Sequence, residues 1–221
     1  MKYEGISLQN MRKSNMDCIL LKEREICGVD TYLVAVCDGV GSLKDGAFAS
    51  STAVRLLSFW LDSVETTKCI GLRMLEYANH MNRQIVQMAE EKGLQTASTL
   101  SALLICDGYY YIVHVGDSRI YSFSNGVLSR LTQDQTINGK LAACLGRYKE
   151  TTILYNEGTY CGETFLLCSD GLHKRMPDAE IAAEIVKAHP GNLHQIIEEM
   201  SNIVVRQGEK DNVSIAILMK E

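Results

Sequence analysis

Proline occurs only twice and no proline-rich or glycine-serine tract is present, so the chain has no room for an extended linker. No run of lysine and arginine stands out, and the formal net charge is -5, which removes any general attraction to a phosphate backbone and excludes nucleic acid as the expected partner. The longest uninterrupted apolar stretches fall far short of the roughly 20 residues that cross a bilayer. The opening MKYEGISLQNMRKSNMD lacks the apolar centre of a secretory signal. No membrane association and a cytoplasmic location are therefore expected. The eight cysteines form no C-x-x-C pair and no histidine-spaced zinc pattern. Cys37, Cys106 and Cys168 sit inside apolar runs, where a reduced thiol serves as a small hydrophobe.

What is present is the composition of a globular domain, 46% hydrophobic and 22% charged, in 221 residues, which predicts one domain over residues 1–221. Apolar, β-branched and aromatic runs at 32–37, 99–106, 109–115, 120–123, 164–168 and 213–219 predict strands. Asp107-Gly108 and Asn125-Gly126 separate consecutive runs and suit type I′ hairpin turns, so the middle of the chain is predicted to be an antiparallel meander. Apolar residues at helical spacing predict three helices, through Ala53 to Leu61, Leu72 to Met88 and Leu193 to Val204. A shorter one is predicted from Asp178 to Ala188, ending before His189-Pro190. Helices gathered before and after an antiparallel block predict an α+β fold with helices covering the sheet faces.

Four aspartates fall at the ends of these strands. Asp38 follows YLVAVC, Asp117 follows YIVHVG, Asp170 follows FLLCS, and Asp211 precedes NVSIAIL. Taken singly, Asp38-Gly39 and Asp170-Gly171 read equally well as turn chemistry, Asp117 as a turn cap and Asp211 as an Asx-turn. Together they place carboxylates on rigid strand ends facing one cleft, where they would repel one another unless cations lie among them. Oxygen ligands without neighbouring Cys or His favour hard ions, Mg²⁺ or Mn²⁺. Two such ions suit in-line displacement at a phosphate ester. A two-metal nuclease shares this logic, but the acidic charge balance weighs against it.

The ordered series Arg12-Lys13-Ser14-Asn15-Met16-Asp17, Cys37-Asp38-Gly39-Val40-Gly41-Ser42, Ala97-Ser98-Thr99-Leu100, Val115-Gly116-Asp117-Ser118-Arg119, Leu131-Thr132-Gln133-Asp134, Leu145-Gly146, Ser169-Asp170-Gly171-Leu172 and Asp211-Asn212-Val213-Ser214 resembles the metal-dependent PPM phosphatases, the protein phosphatase 2C family, and especially their compact bacterial members. The resemblance covers nearly the whole chain. It implies a four-layer αββα sandwich of two antiparallel sheets flanked by helices. It also implies hydrolysis of phosphoserine and phosphothreonine in proteins, with two Mn²⁺ or Mg²⁺ ions or a third as well, and phosphoprotein substrates shared with a cognate Ser/Thr kinase. Carried over position by position, Asp38 would bridge two ions and the Gly39 carbonyl would reach the second. Asp170 and Asp211 would complete the first, and Asp117 with Asp170 would hold a third. Arg12 would clamp the substrate phosphate and Asp17 would hydrogen-bond a metal-bound water.

His114, on the strand before Asp117, reads as a satisfied or partly buried structural histidine in preference to a general acid. Val40 stands where some relatives carry a histidine proton donor, so protonation of the leaving group would rely on water. Met16 replaces the usual Glu or Gln, Ala97 replaces a glycine, and only ten residues separate Asp134 from Leu145, where relatives insert a longer flap. Met16 and the short flap raise the alternative of a catalytically silent phosphoprotein-binding regulator.

Overall fold

The computed structural model describes residues 1–221. The chain runs β1 (Lys2–Leu8), β2 (Asp17–Ile26), β3 (Val29–Asp38), α1 (Gly46–Ser63), α2 (Ile70–Lys92), β4 (Leu100–Cys106), β5 (Tyr109–Val115), β6 (Arg119–Ser124), β7 (Val127–Arg130), β8 (Thr136–Ile137), β9 (Lys140–Leu141), β10 (Leu154–Thr159), β11 (Thr164–Cys168), α3 (Asp170–His173), α4 (Asp178–Ile185), α5 (Leu193–Arg206) and β12 (Val213–Met219). Two five-stranded antiparallel sheets form, in the orders β1-β12-β11-β6-β7 and β10-β5-β4-β3-β2.

The period of two along each strand sorts side chains between layers. Leu33, Ala35 and Cys37 of β3 and Leu100, Ala102 and Leu104 of β4 point to a core shared with Leu57, Trp60 and Leu61 of α1 and Met74, Ala78 and Met81 of α2. The alternate residues Val34, Val36, Leu103 and Ile105 face Phe165, Leu167, Ala216 and Leu218 of the other sheet. The outer face of that sheet, with Leu166, Cys168, Ile215 and Ile217, packs on Leu172, Ile181, Ile197 and Met200 from α3, α4 and α5. These three cores are the seams of the expected αββα sandwich. Four of the cysteines, Cys37, Cys106, Cys144 and Cys168, are buried, and all eight are free thiols.

Asp107 (φ 51°) with Gly108 (φ 75°) and Asn125 (φ 51°) with Gly126 (φ 79°) adopt the two successive positive-φ residues of type I′ turns, as their chemistry predicts. Cys27 (φ 53°) and Gly28 (φ 78°) do the same between β2 and β3, without the usual Asn or Asp. The predicted meander is corrected in one respect. It breaks after β5, because β4 and β5 pair in one sheet while β6 and β7 pair in the other, and the chain crosses between sheets through Gly116, Asp117 and Ser118. The helix predicted to reach Ala188 ends at Ile185, beyond which the chain tightens into turns and the Asn192 side-chain amide donates to the Lys187 carbonyl at 3.1 Å. The short flap is present as the β8–β9 hairpin, turning at Asn138-Gly139. No helix is long and apolar enough to cross a membrane.

Candidate active site

Asp38 is the last residue of β3 and stands directly across the ladder from Asp17, the first residue of β2. Both share the strand parity of Val34, Val36 and Ile19, so both face the opposite sheet. There Ser169 and Ser214 are buried, with the Ser214 N–H donating to Ser169 Oγ at 2.9 Å. From the opposite sheet come Asp170, one residue after Ser169 and first in α3, and Asp211, just ahead of β12. Asp117 lies on the crossover between the sheets. The sandwich thus brings together at one edge all five aspartates singled out in the sequence.

The backbone around them admits little variation. A Cβ at Gly39 would lie 2.6 Å from the Met16 carbonyl oxygen and 2.7 Å from that of Gly46, so only glycine fits. Gly39 N–H donates to the Met16 carbonyl at 3.1 Å. Gly116 has φ +107°, and a Cβ there would meet the Thr99 side chain at 2.6 Å. Asn212 anchors the Arg12 loop: its Oδ1 accepts from Met16 N–H at 2.9 Å, and its Nδ2 donates to the carbonyls of Gln9 and Ser14 at 2.8 and 3.2 Å.

Charge is concentrated here beyond what the protein alone balances. Desolvation at the base of the cleft raises the Asp38 carboxyl well above its usual range, and Asp17, Asp170, Asp117 and Asp211 push it further in the same direction. Asp17 is 5% exposed; burial pushes it up to about 6 against the lowering effect of the Ser214 and Ser169 hydroxyls. Its Oδ2 is buried without a hydrogen-bond partner. Asp117 also rises to about 6, through burial and then Asp170, with Lys174 opposing. Two side-chain cations answer part of this charge. Arg12 grips Asp211 in two hydrogen bonds, Nε–Oδ1 at 2.7 Å and Nη2–Oδ2 at 2.5 Å, and although burial works the other way this pairing holds Asp211 below the usual carboxylate range. The Lys174 ammonium donates to Asp170 and is also drawn toward Asp117 and Asp38. With Asp170 and Asp211 so engaged, no three acidic, histidine or cysteine side chains form a ready-made coordination shell.

The donor set nevertheless fits hard divalent cations. An orphaned buried carboxylate oxygen on Asp17, a mutually repelling group around Asp38 and all-oxygen chemistry call for positive charge between the carboxylates. Beside them opens a cleft of about 340 Å³ lined by Met11, Arg12, Ser14, Met16, Gly41 and Asp211, among others. Arg12 is half-exposed at its edge. The Met16 side chain points the same way, its sulfur 3.0 Å from where a Cβ on Gly46 would stand.

Sequence reading passes over three supporting features. Lys174 is four residues after Asp170, and only the short α3 makes that spacing a contact. Glu209 Oε1 accepts the N–H groups of Lys210 and Asp211 at 2.7 and 2.9 Å and so shapes the loop that presents Asp211. Arg119 forms a bidentate pair with Asp134, at 3.0 and 2.7 Å, which ties the strand after the crossover to the segment before the β8–β9 hairpin. Both partners of that pair lie in motifs of the ordered series, yet nothing local in either predicts that they meet.

Comparison with known proteins finds similarity to protein phosphatases. The serine/threonine phosphatase stp of Listeria innocua is 29% identical over 218 residues, covering 84% of this chain and 83% of its own length. The serine/threonine protein phosphatase PstP of Mycobacterium tuberculosis is 27% identical over 209 residues, covering 84% of this chain and 40% of that longer protein. Among solved structures, a bacterial serine phosphatase superposes with a TM-score of 0.91 at 19% identity, over 100% of this chain and 98% of that one. The serine/threonine phosphatase Stp1 of Staphylococcus aureus gives 0.89 at 19%, over 100% and 96%. At such identity these two superpositions speak for the fold. The profile of protein phosphatase 2C matches residues 26–213, a span that holds Asp38, Asp117, Asp170 and Asp211, and the chain accordingly belongs to the protein phosphatase 2C family.

Proposed function

We propose that this serine/threonine protein phosphatase hydrolyses phosphoserine and phosphothreonine in proteins using Mn²⁺ or Mg²⁺ held by Asp38, the Gly39 carbonyl, Asp170 and Asp211, with Asp117 and Asp170 serving a third ion. The observation that carries the reading is the gathering of Asp17, Asp117, Asp170 and Asp211 around Asp38, all pushing its pKa up. When bound, such ions supply an acidified water nucleophile and neutralise charge developing on the phosphoryl oxygens. The chain's own residues do the rest. Asp38 and Asp17 fix negative charge on the floor of the site, with the Ser169 and Ser214 hydroxyls against Asp17. Arg12, on a loop anchored by Asn212, presents a planar fork suited to two phosphate oxygens, and exchanges Asp211 for the substrate. Val40 carries no proton, so the leaving alkoxide takes one from solvent.

The names of the relatives support phosphoprotein substrates, and a bacterial Ser/Thr kinase acting on the same proteins is the partner we assign. A cytoplasmic site of action is in keeping with that partnership. The relatives named above are phosphatases, and no observation favours a silent regulatory module. The test is hydrolysis of p-nitrophenyl phosphate and of a phosphothreonine peptide with Mn²⁺ or Mg²⁺, and its loss in EDTA. Full turnover in metal-free buffer would overturn the reading.

A further inference from the structure

His114 of β5 is 1% exposed, lies apart from the carboxylates and has no part in the chemistry above. Its ring is held at both ends. Nδ1 is 2.9 Å from Ser101 Oγ, and Nε2 is 3.1 Å from the carbonyl oxygen of Gln133. Ser101 Oγ is in turn 2.9 Å from the carbonyl oxygen of Ser118. Ser101 and Ser118 are fully buried.

A neutral ring leaves this chain of contacts one proton short. Its two ends are carbonyl oxygens, which only accept, so its three contacts need three donated hydrogens. Ser101 brings one and a neutral imidazole one; an imidazolium brings two. With a neutral ring and Nε2–H on Gln133, Nδ1 and the Ser118 carbonyl compete for the single Ser101 hydrogen. A buried acceptor left without a donor is costly, so the ring state decides how firmly the Ser118 carbonyl is held.

That carbonyl belongs to the residue after Asp117. On its other side, Ser118 Oγ is 2.7 Å from Thr99 Oγ1, which accepts the N–H of Asp38 at 2.9 Å. The opposite end of the chain, Gln133, leads through Asp134 into Gln135, whose Oε1 accepts Gly116 N–H at 2.8 Å just ahead of the β8–β9 hairpin. We propose that His114 is a positioning residue for the active site: acting through Ser101 on the Ser118 carbonyl, it sets the placement of the Asp117 turn and ties that turn to the root of the 136–141 hairpin. This rests on the reading of Asp117 as an ion ligand.

The groups facing the ring are few. β4 offers the Ser101 hydroxyl and β10 sets Leu154 opposite, with Tyr155 across a cavity of about 260 Å³. The segment before the hairpin brings Asp134, itself paired with Arg119 and Arg130. Burial lowers the pKa of the ring, while the Gln133 carbonyl, Asp134 and the backbone of Gly116 and Leu100 raise it. For the Nε2–H tautomer, proton uptake frees the Ser101 hydrogen for Ser118, so the grip tightens as pH falls through that pKa and slackens as it rises.

The test titrates Mn²⁺ alone into the full chain, read by electron paramagnetic resonance, for the wild type, Asp117→Asn, His114→Ala, Ser101→Ala and the double variant, with imidazole ¹⁵N shifts recorded against pH. Asp117→Asn should weaken the loosest class of Mn²⁺ sites. Ser101→Ala, which removes the only donor to the Ser118 carbonyl in this chain of contacts, should weaken the same class by about 10-fold; His114→Ala leaves Ser101 free to hold Ser118, so it should reduce the pH dependence of that class, and the double variant should bind as Ser101→Ala does. Ser101→Ala should also lower the midpoint of the ring titration, since the imidazolium then loses its Nδ1 acceptor. If His114→Ala does not fold, Ser101→Ala carries both measurements. A wild-type Mn²⁺ constant in Ser101→Ala and wild-type pH dependence in His114→Ala, with Asp117→Asn weakened, would overturn the inference and leave the site reading intact. An unaltered Asp117→Asn would overturn the ligand reading and the inference with it. A ring midpoint unmoved by Ser101→Ala would refute the proton count.

Discussion

Asp17 and Asp38 stand opposite one another as the final cross-strand pair of β2 and β3, two carboxylates on one face at the floor of the cleft. Folding forces this pairing on the chain, and without cations it is unfavourable. Asp17 and Asp117 have folded pKa values of about 6 against an ordinary 3.8. Between those values the folded chain binds more protons than the unfolded one, so stability of the EDTA-treated protein should fall as pH rises from about 4 to about 7. Asp38→Asn should raise its thermal midpoint in EDTA at pH 7.5 by about 2–4 °C, or about 1 kcal/mol, and lower kcat by at least ~10²-fold. Differential scanning calorimetry with and without Mn²⁺ checks this: a lowered midpoint in EDTA contradicts it.

Arg12→Ala removes both the proposed phosphate clamp and the partner of Asp211. kcat/KM should drop by about 10²-fold, a few kcal/mol of lost phosphate binding and orientation. Half-saturating Mn²⁺ should stay level or fall, because Asp211 is no longer engaged by the guanidinium. A raised Mn²⁺ requirement would count against the clamp assignment.

Met16 holds the site with its backbone, where its carbonyl accepts from Gly39 N–H and from Ser50 Oγ, and turns a half-buried thioether toward the cleft. Met16→Glu keeps those backbone contacts and adds a carboxylate, so half-maximal activity should come at a Mn²⁺ concentration about 10-fold lower. The saturated kcat should change less. An activation curve unchanged from wild type, together with a lower melting temperature, would show that Met16 only packs.

Arg119 and Asp134 are both partly buried. Burial alone would raise the Asp134 carboxyl, but the Arg119 guanidinium holds it below its ordinary value. A depressed folded pKa gives stability that is present above the unfolded value and lost as pH falls through the folded one. Asp134→Asn should therefore cost about 1–3 kcal/mol at pH 7, with the difference from wild type shrinking below about pH 4. Urea unfolding at pH 7 and pH 3 measures it, and an equal loss at both values would rule out the ion pair as the source.

Much of this architecture is legible in local sequence because burial on both faces of β3, β4, β11 and β12 leaves nearly unbroken apolar runs. Asp38, Asp117, Asp170 and Asp211 can be placed because each lies where an apolar run starts or stops, whereas Asp17 is placed only by the family resemblance. Edge strands carry no such signal. β1 reads KYEGISL and β10 reads LYNEGT, half-exposed and polar, and both are made strands by pairing with β12 and β5 rather than by their own pattern. The charged second half of β2, Lys22 to Glu25, hides a ten-residue strand for the same reason. The Arg12–Asp211 and Arg119–Asp134 pairs and the His114 chain belong to tertiary structure, joining segments that are adjacent only once the two sheets pack.

The carboxylates are shared between the sheets, with Asp17 and Asp38 on one, Asp170 and Asp211 on the other, and Asp117 on the strip of backbone that crosses between them. Each sheet has its own helix-covered core, and a third core lies between them, where Phe165 and Leu167 meet Val34 and Leu103. The site is therefore a gauge of the gap between two layers: whatever wedges the layers apart separates its carboxylates. If these carboxylates hold ions as proposed, ion binding and sheet docking form one coupled equilibrium: a remote truncation such as Phe165→Ala should be felt as a change in metal affinity, and a bound ion would act as a rivet through the seam.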